Sequence, residues 1–199
     1  MNIIFLGAPG SGKGTQSELI SKQYNLIPLV AGDILRDEKK SKSELGRRIS
    51  SIMDKGDLLP DSMIDTIIEN QLETYAISIV KTGFIFDGYP RTIGQGKFLD
   101  GVMDKYESNI DLVLFLDVDE DELIKRLLER GKTSNRDDDK DESIIKKRML
   151  NYHKSTNPLK EFYKDKIVII DGMRTIEEIN EEIREVITRE NMRKIINGQ

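Results

Sequence analysis

Apolar residues fall into short blocks along the chain. Ile3–Leu6, Phe84–Phe86, Leu112–Leu116 and Ile167–Ile170 are rich in β-branched or aromatic side chains and show no polar alternation. Runs of this kind suit strands covered on both faces, and hence a parallel sheet. A fifth, weaker strand is expected over Leu26–Val30, where Pro28 interrupts the run. Between the blocks the spacing becomes helical. Met63, Ile64, Ile67, Ile68, Leu72, Tyr75, Ala76 and Ile79 follow the i, i+3, i+4 rule, as do Ile176, Ile179, Ile183, Val186 and Ile187. Strands alternating with helices predict βαβ crossovers and an α/β three-layer fold, a parallel five-stranded sheet with helices on both faces.

Two segments stand outside this alternation. Residues 33–59 carry two short, charged helical patterns with breaks expected at Gly46 and Gly56. Residues 131–141 are almost wholly polar, and taken alone they read as a solvated surface loop. With no internal repeat and no long linker, one domain is expected from the 199 residues.

Composition narrows the chemistry. There are 31 Lys and Arg against 36 Asp and Glu, a net charge of −5. This argues against a nucleic-acid binder, which needs a basic footprint. Any polyanion site must be assembled locally from clustered cations. The absence of cysteine excludes a disulfide framework, a thiol nucleophile and a thiolate zinc site, and His153 is the single histidine. No apolar run approaches the ~20 residues of a membrane span. Met1–Leu6 lacks a basic leader, so a soluble cytoplasmic protein is expected. No interface pattern stands out, and a monomer is the default.

Directly after the first strand comes Gly7-Ala-Pro-Gly10-Ser11-Gly12-Lys13-Gly14-Thr15, leading into helical sequence. Strand, glycine-rich loop and helix are the context of a P-loop. Successive backbone N–H groups and the helix N-terminus can hold phosphate oxygens, Lys13 supplies a point charge, and a hydroxyl can sit on Mg²⁺. The general motif places Ser or Thr immediately after the lysine, whereas here Gly14 intervenes before Thr15. Asp87, ending the strand Phe84–Phe86, is either the carboxylate that orders Mg²⁺ through water or an ordinary strand-end residue. No Asn-Lys-x-Asp occurs, which speaks against a GTPase.

Three motifs together resemble the adenylate kinase family: Gly7–Gln16, Ala31-Gly32-Asp-Ile-Leu-Arg36, and Phe86-Asp-Gly88-Tyr89-Pro-Arg91-Thr-Ile-Gly-Gln95. The tract from Arg126 through Arg130 to Arg136-Asp-Asp, followed by Lys147-Arg148-Met-Leu-Asn-Tyr152, is similar to the family's short-lid form. The resemblance runs from Met1 to beyond Gly172. It implies a P-loop NTPase fold in which residues 33–59 form a helical acceptor-binding flap and 131–141 a short lid, with the core in 1–32, 60–130 and 142–199. It also implies reversible, Mg²⁺-dependent transfer of the ATP γ-phosphoryl group to AMP, giving two ADP.

The roles it implies are specific. Gly10, Ser11, Gly12, Lys13, Gly14 and Thr15 hold ATP phosphates, Arg126 lies over the ATP adenine and Arg130 contacts its phosphates. The backbone at Gly172-Met173 meets that adenine. Arg36 and Arg91 hold the acceptor phosphate, while Arg136 and Arg148 close over the transferring group; Lys13, Arg91, Arg136 and Arg148 are the catalytic set. Ala31, Gly32, Asp57, Leu58, Leu59, Gly88 and Tyr89 line the AMP pocket, and Gln95 reads the base. Thr15 and Asp87 serve Mg²⁺, with no zinc site. A cis peptide is expected at Tyr89-Pro90.

Two departures keep alternatives open. Position 31 is Ala where adenylate kinases usually carry Thr, which suggests a UMP/CMP kinase, whereas Gln95 matches the adenylate pattern. The stretch from Arg136 to Arg148 is one residue longer than the family pattern, so Lys147 could take the place expected of Arg148. A P-loop module that binds ATP without transferring phosphate is a third reading, opposed by the acceptor-side Arg36, Arg91 and Gln95. His153 is expected to be a partly exposed helix residue without chemistry.

Overall fold

The computed structural model describes residues 1–75, 82–134 and 136–196, with backbone alone at 137. Five parallel strands form one sheet in the order β2-β3-β1-β4-β5: β1 Ile3–Gly7, β2 Ile27–Val30, β3 Phe84–Asp87, β4 Leu112–Asp117 and β5 Ile167–Asp171. The sheet splits the apolar side chains into two cores. Ile3, Phe5, Ile85 and Leu114 face helices α1 (Lys13–Tyr24) and α9 (Ile176–Ile196). Ile4, Leu6, Phe86 and Phe115 face the other layer, which includes α4 (Asp61–Thr74) and α5 (Ile93–Lys105). Because successive side chains point to opposite faces, the unbroken apolar runs are what a doubly covered sheet requires. Pro28 is tolerated because β2 is an edge strand, where a missing N–H breaks no inner ladder.

Between β2 and α4 lie α2 (Ala31–Lys40) and α3 (Glu44–Met53). The break expected at Gly46 falls instead at Ser41–Ser43. Ser43 is the N-cap of α3, and its hydroxyl accepts from Gly46 N at 2.8 Å, which starts the helix ahead of the glycine. Gly56 does follow the end of α3 and has φ +72°. The expected helix from Met63 ends at Thr74; Ala76 and Ile79 lie outside the described residues.

Helix α6 (Glu120–Thr133) carries Glu120, Asp121 and Glu122 in its first turn and Arg130 and Lys132 in its last, matching the helix dipole. It runs into the polar segment as far as Thr133. A short 3₁₀ turn at Asp137–Asp139 follows, then α7 (Glu142–Asn151), a π-helical turn at Tyr152–Thr156, and the brief α8 (Leu159–Phe162). His153 is exposed and faces Glu120 at 3.1 Å. Among the described residues no helix is long and apolar enough to cross a membrane.

Candidate active site

A cavity of about 850 Å³ opens above the C-terminal ends of the strands, where open α/β sheets bind ligands. Among the described residues eight cationic side chains line it against five carboxylates, so within a chain of net charge −5 the cavity is a concave, positively charged surface. The cations come from sequence positions as far apart as Lys13 and Arg174.

One end is the glycine loop. Gly12 is the N-cap of α1, and Gly10 through Thr15 all border the cavity. Lys13 Nζ donates to Gly7 O at 2.7 Å, Ala8 O at 2.8 Å and Ser11 Oγ at 3.3 Å, which uses all three ammonium protons. Burial lowers its pKa to about 8; Asp87 opposes the shift, while Arg91, Arg130 and Arg148 add to it. Burial raises the pKa of the Asp87 carboxyl, with Lys13 and Arg91 pulling the other way. Its Oδ2 lies 3.6 Å from where a Cβ on Gly14 would be, so it faces the start of α1.

At the other end, Ala31, Gly32 and Arg36 from α2 meet Asp57, Leu58 and Leu59 from the segment after α3. Arg36 pairs with Asp33 at 2.5 Å. Arg91 is anchored three ways: its N–H donates to Gln95 Oε1 at 2.7 Å, its Nε to Gly88 O at 2.8 Å, and its carbonyl accepts from Thr156 Oγ1 at 2.9 Å. Burial and the neighbouring Arg148 pull its pKa below the ordinary guanidinium value. Gly88 borders the cavity with φ +76°, and a Cβ there would sit 3.2 Å from the Arg91 guanidinium. Tyr89-Pro90 is cis.

The far wall comes from the polar segment, which is not simply solvated. Asp139 is 0% exposed. Its carboxylate accepts from Arg130 Nε at 2.6 Å and Nη2 at 3.1 Å, and from Arg148 Nη1 at 2.6 Å. Asp138 adds a second contact to Arg148 at 2.8 Å. Burial alone would raise the Asp139 pKa, but Arg130 and Arg148 hold it below the usual carboxylate range. This approach depends on Gly131, where an added Cβ would lie 2.5 Å from the Asp139 carbonyl. Arg136 also lines the cavity; burial and the nearby Arg130 and Arg36 lower its pKa. The register question resolves on burial: Arg148 faces the cavity, whereas Lys147 pairs with Asp57 at 2.7 Å on the surface.

Two expected residues do not reach the cavity with their side chains. Tyr89 is 1% exposed and turns into the core, where its hydroxyl donates to Asp65 at 2.6 Å. Met173 is 45% exposed and borders a separate shallow depression with Asp117 and Ile169. Arg174 and Ile176 line that side of the cavity instead. Arg126 donates to Glu122 Oε1 at 2.9 Å and to Gly172 O at 3.1 Å, joining α6 to this loop. Arg174 carries no signal in the sequence reading, whereas the acidic run Asp137-Asp138-Asp139 beside Arg136 admits two readings there, carboxylates that hold the lid or orient the arginine and a solvated loop.

Among the described residues no group of three His, Cys, Asp or Glu is placed to hold a metal. The Thr15 hydroxyl and Asp87 carboxylate are hard oxygen donors beside the phosphate cradle. They fit Mg²⁺, which is commonly held by one or two protein oxygens together with substrate phosphates.

The family model described as adenylate kinase matches residues 5–168. A protein named adenylate kinase from Parabacteroides distasonis is 47% identical over 189 residues, covering 94% of this chain and 97% of its own length. Proteins of the same name from Bacteroides fragilis and Flavobacterium psychrophilum are 44% and 41% identical, covering 92% and 94% of this chain and 96% and 98% of their own.

Proposed function

Because this chain belongs to the adenylate kinase family, we propose that its cavity holds ATP and AMP end to end and transfers the γ-phosphoryl group between them, yielding two ADP. The observation that carries this reading is a continuous cavity of about 850 Å³ that borders both the glycine loop and the flap, with cations along its length. Its volume is at the upper end for small-molecule sites. A site that only bound ATP would need neither Arg36, Arg91 and Gln95 on the far side nor the flap that carries Leu58 and Leu59.

In this reading the loop from Gly10 to Thr15 takes the ATP phosphates, with Lys13 nearest the transferring group. Arg126, Arg174 and the backbone of 172–174 border the ATP base. Arg36 and Arg91 hold the AMP phosphate, so that one of its oxygens attacks the γ-phosphorus while the β–γ bridging oxygen leaves with ADP. An AMP phosphate oxygen is already a nucleophile, so no side chain need remove a proton. Holding two anionic chains in line and neutralising them is the main demand of phosphoryl transfer. Arg130, Arg136 and Arg148 serve this, with guanidinium forks that remain charged. Mg²⁺ bound with ATP, beside Thr15 and Asp87, would neutralise further phosphate charge. Residues 33–59 and 131–141 are assigned as flap and lid, which exclude water as a competing acceptor when both nucleotides are bound.

The proposal includes a monomeric, cytoplasmic enzyme acting on free nucleotides, since one chain supplies the whole cavity. Incubation with Mg-ATP and AMP, UMP or CMP in turn, followed by diphosphate quantitation, tests it. AMP-dependent ADP formation is expected. Preferential use of UMP or CMP would move the reading to a pyrimidine kinase, as Ala31 alone suggested, and ATP binding without transfer would reduce it to a nucleotide-binding module.

A further inference from the structure

Gln95 is 3% exposed, and its amide is held at both ends by the protein. Its Oε1 accepts from Arg91 N at 2.7 Å and its Nε2 donates to Asp61 Oδ1 at 2.7 Å. Asp61 is the first residue of α4 and does not line the cavity. Its other oxygen accepts from Thr92 Oγ1 at 2.7 Å, and the same hydroxyl accepts from Gln95 N at 3.1 Å as the N-cap of α5. The carboxylate is thus fixed between the start of α4 and the start of α5.

A primary amide can present its oxygen and its NH₂ in either order. Here the order is set by partners that each admit one answer. A backbone N–H can meet only the amide oxygen, and a carboxylate can meet only the NH₂. One Nε2 proton and one Oε1 lone pair remain, in a fixed order. Adenine offers an acceptor, N1, beside an exocyclic donor, the 6-amino group. A 6-oxo purine of the same size offers the reverse, a ring N–H beside a carbonyl oxygen.

We propose that Asp61 is a positioning residue that fixes the polarity of the Gln95 amide and thereby selects a 6-amino over a 6-oxo purine as phosphoryl acceptor. This rests on the reading that Gln95 faces the acceptor base. It places part of the specificity on a side chain that would not touch the nucleotide. Without Asp61 one of the two constraints is lost, and the amide can rotate at the cost of its single bond to Arg91 N. A site left with mismatched polar groups rejects a ligand far more strongly than one lacking an apolar contact.

The test compares AMP with IMP as acceptors for the wild type and for Asp61→Ala, Asp61→Asn and Gln95→Ala. For Asp61→Ala, KM for AMP is expected to rise about tenfold or more and the AMP-to-IMP ratio of kcat/KM to fall by a similar factor, as for a lost hydrogen bond to a charged group. KM for ATP should change less than about twofold. Asp61→Asn, which can still present an oxygen to Gln95, should recover most of the ratio. An unchanged ratio in Asp61→Ala alongside a collapsed ratio in Gln95→Ala overturns the proposal while leaving the base-reading role of Gln95 intact. An unchanged ratio in Gln95→Ala overturns that role and the proposal with it. If Asp61→Ala does not fold, the wild type decides by nitrogen-15 NMR: the Gln95 side-chain signals, identified by their loss in Gln95→Ala, should include one Nε2 proton strongly protected from solvent exchange. Two equally unprotected protons overturn the proposal.

Discussion

Replacing Asp139 with Ala should destabilise the protein substantially and, at the same time, make that stability depend on nucleotide. Asp139 is fully buried and holds Arg130 and Arg148 at 2.6 Å each. Opposite charges about 4 Å apart at an effective dielectric near 20 attract by ~4 kcal/mol. Most of that attraction offsets the desolvation of the three groups. What the substitution exposes is the cost of two guanidinium groups left without their anion, and breaking a buried pair typically costs ~3–5 kcal/mol. The Arg130 side chain is 35% exposed and retains some solvent, so a loss of roughly 2–4 kcal/mol is expected. For a protein of this size that lowers Tm by on the order of 10 °C.

Differential scanning calorimetry with and without a non-hydrolysable ATP analogue measures this. The phosphates bring negative charge to the same arginines, so the analogue should raise Tm more in the variant than in the wild type. The pH dependence follows in sign. The folded protein holds the Asp139 pKa below its ordinary 3.8, so its stabilising contribution is present above that value and is lost as pH falls below it; the two proteins should converge in Tm in acid. A variant with wild-type Tm at neutral pH and an unchanged response to the analogue would refute the assignment of Asp139 as the anion that holds the two arginines.

Three further outcomes are expected. Lys13→Met should lower kcat at least ~100-fold, as removal of a preorganised charge does, with the circular dichroism spectrum retained; near-normal turnover would contradict the role assigned to the lysine. ATP affinity should weaken as pH rises through about 8, where Lys13 in the empty protein loses its proton, by at most ~10-fold per pH unit. The empty protein should gain stability across the same alkaline window, because the unfolded chain keeps the proton longer; flat titration-calorimetry affinities from pH 7 to 9.5 would count against both. Gly131→Ala should push the Asp139 turn off α6 and depress kcat/KM while leaving AMP-to-IMP selectivity unchanged, and a variant with normal kcat/KM would show that the turn accommodates the methyl group.

The layers of the fold follow from local signals. Apolar blocks such as Ile3–Leu6 and Leu112–Leu116 can be satisfied only by burial on both faces, and the loop from Gly7 to Thr15 demands a strand before it and a helix after it. These are short-range constraints, so the sequence alone determined a five-stranded parallel sheet and the position of the phosphate cradle, while the family resemblance supplied the cavity arginines other than Arg174. Other features depend on which backbone approaches which, and this is set by packing between separate elements. Gly46 looked like a helix break because its near contact with the Glu38 carbonyl is invisible in the chain, and Tyr89 looked like a pocket residue because its partner Asp65 lies 24 positions away. The run after Arg136 reads as solvent-facing by charge, yet Gly131 lets it fold onto α6 and bury Asp139 between two cations. Only the tertiary structure decided which of the adjacent acids are buried, which end of the Gln95 amide faces Asp61, and that Arg148 rather than Lys147 points inward. Each of these is settled by a contact between separate elements whose energy depends on geometry, and residue type does not encode that geometry.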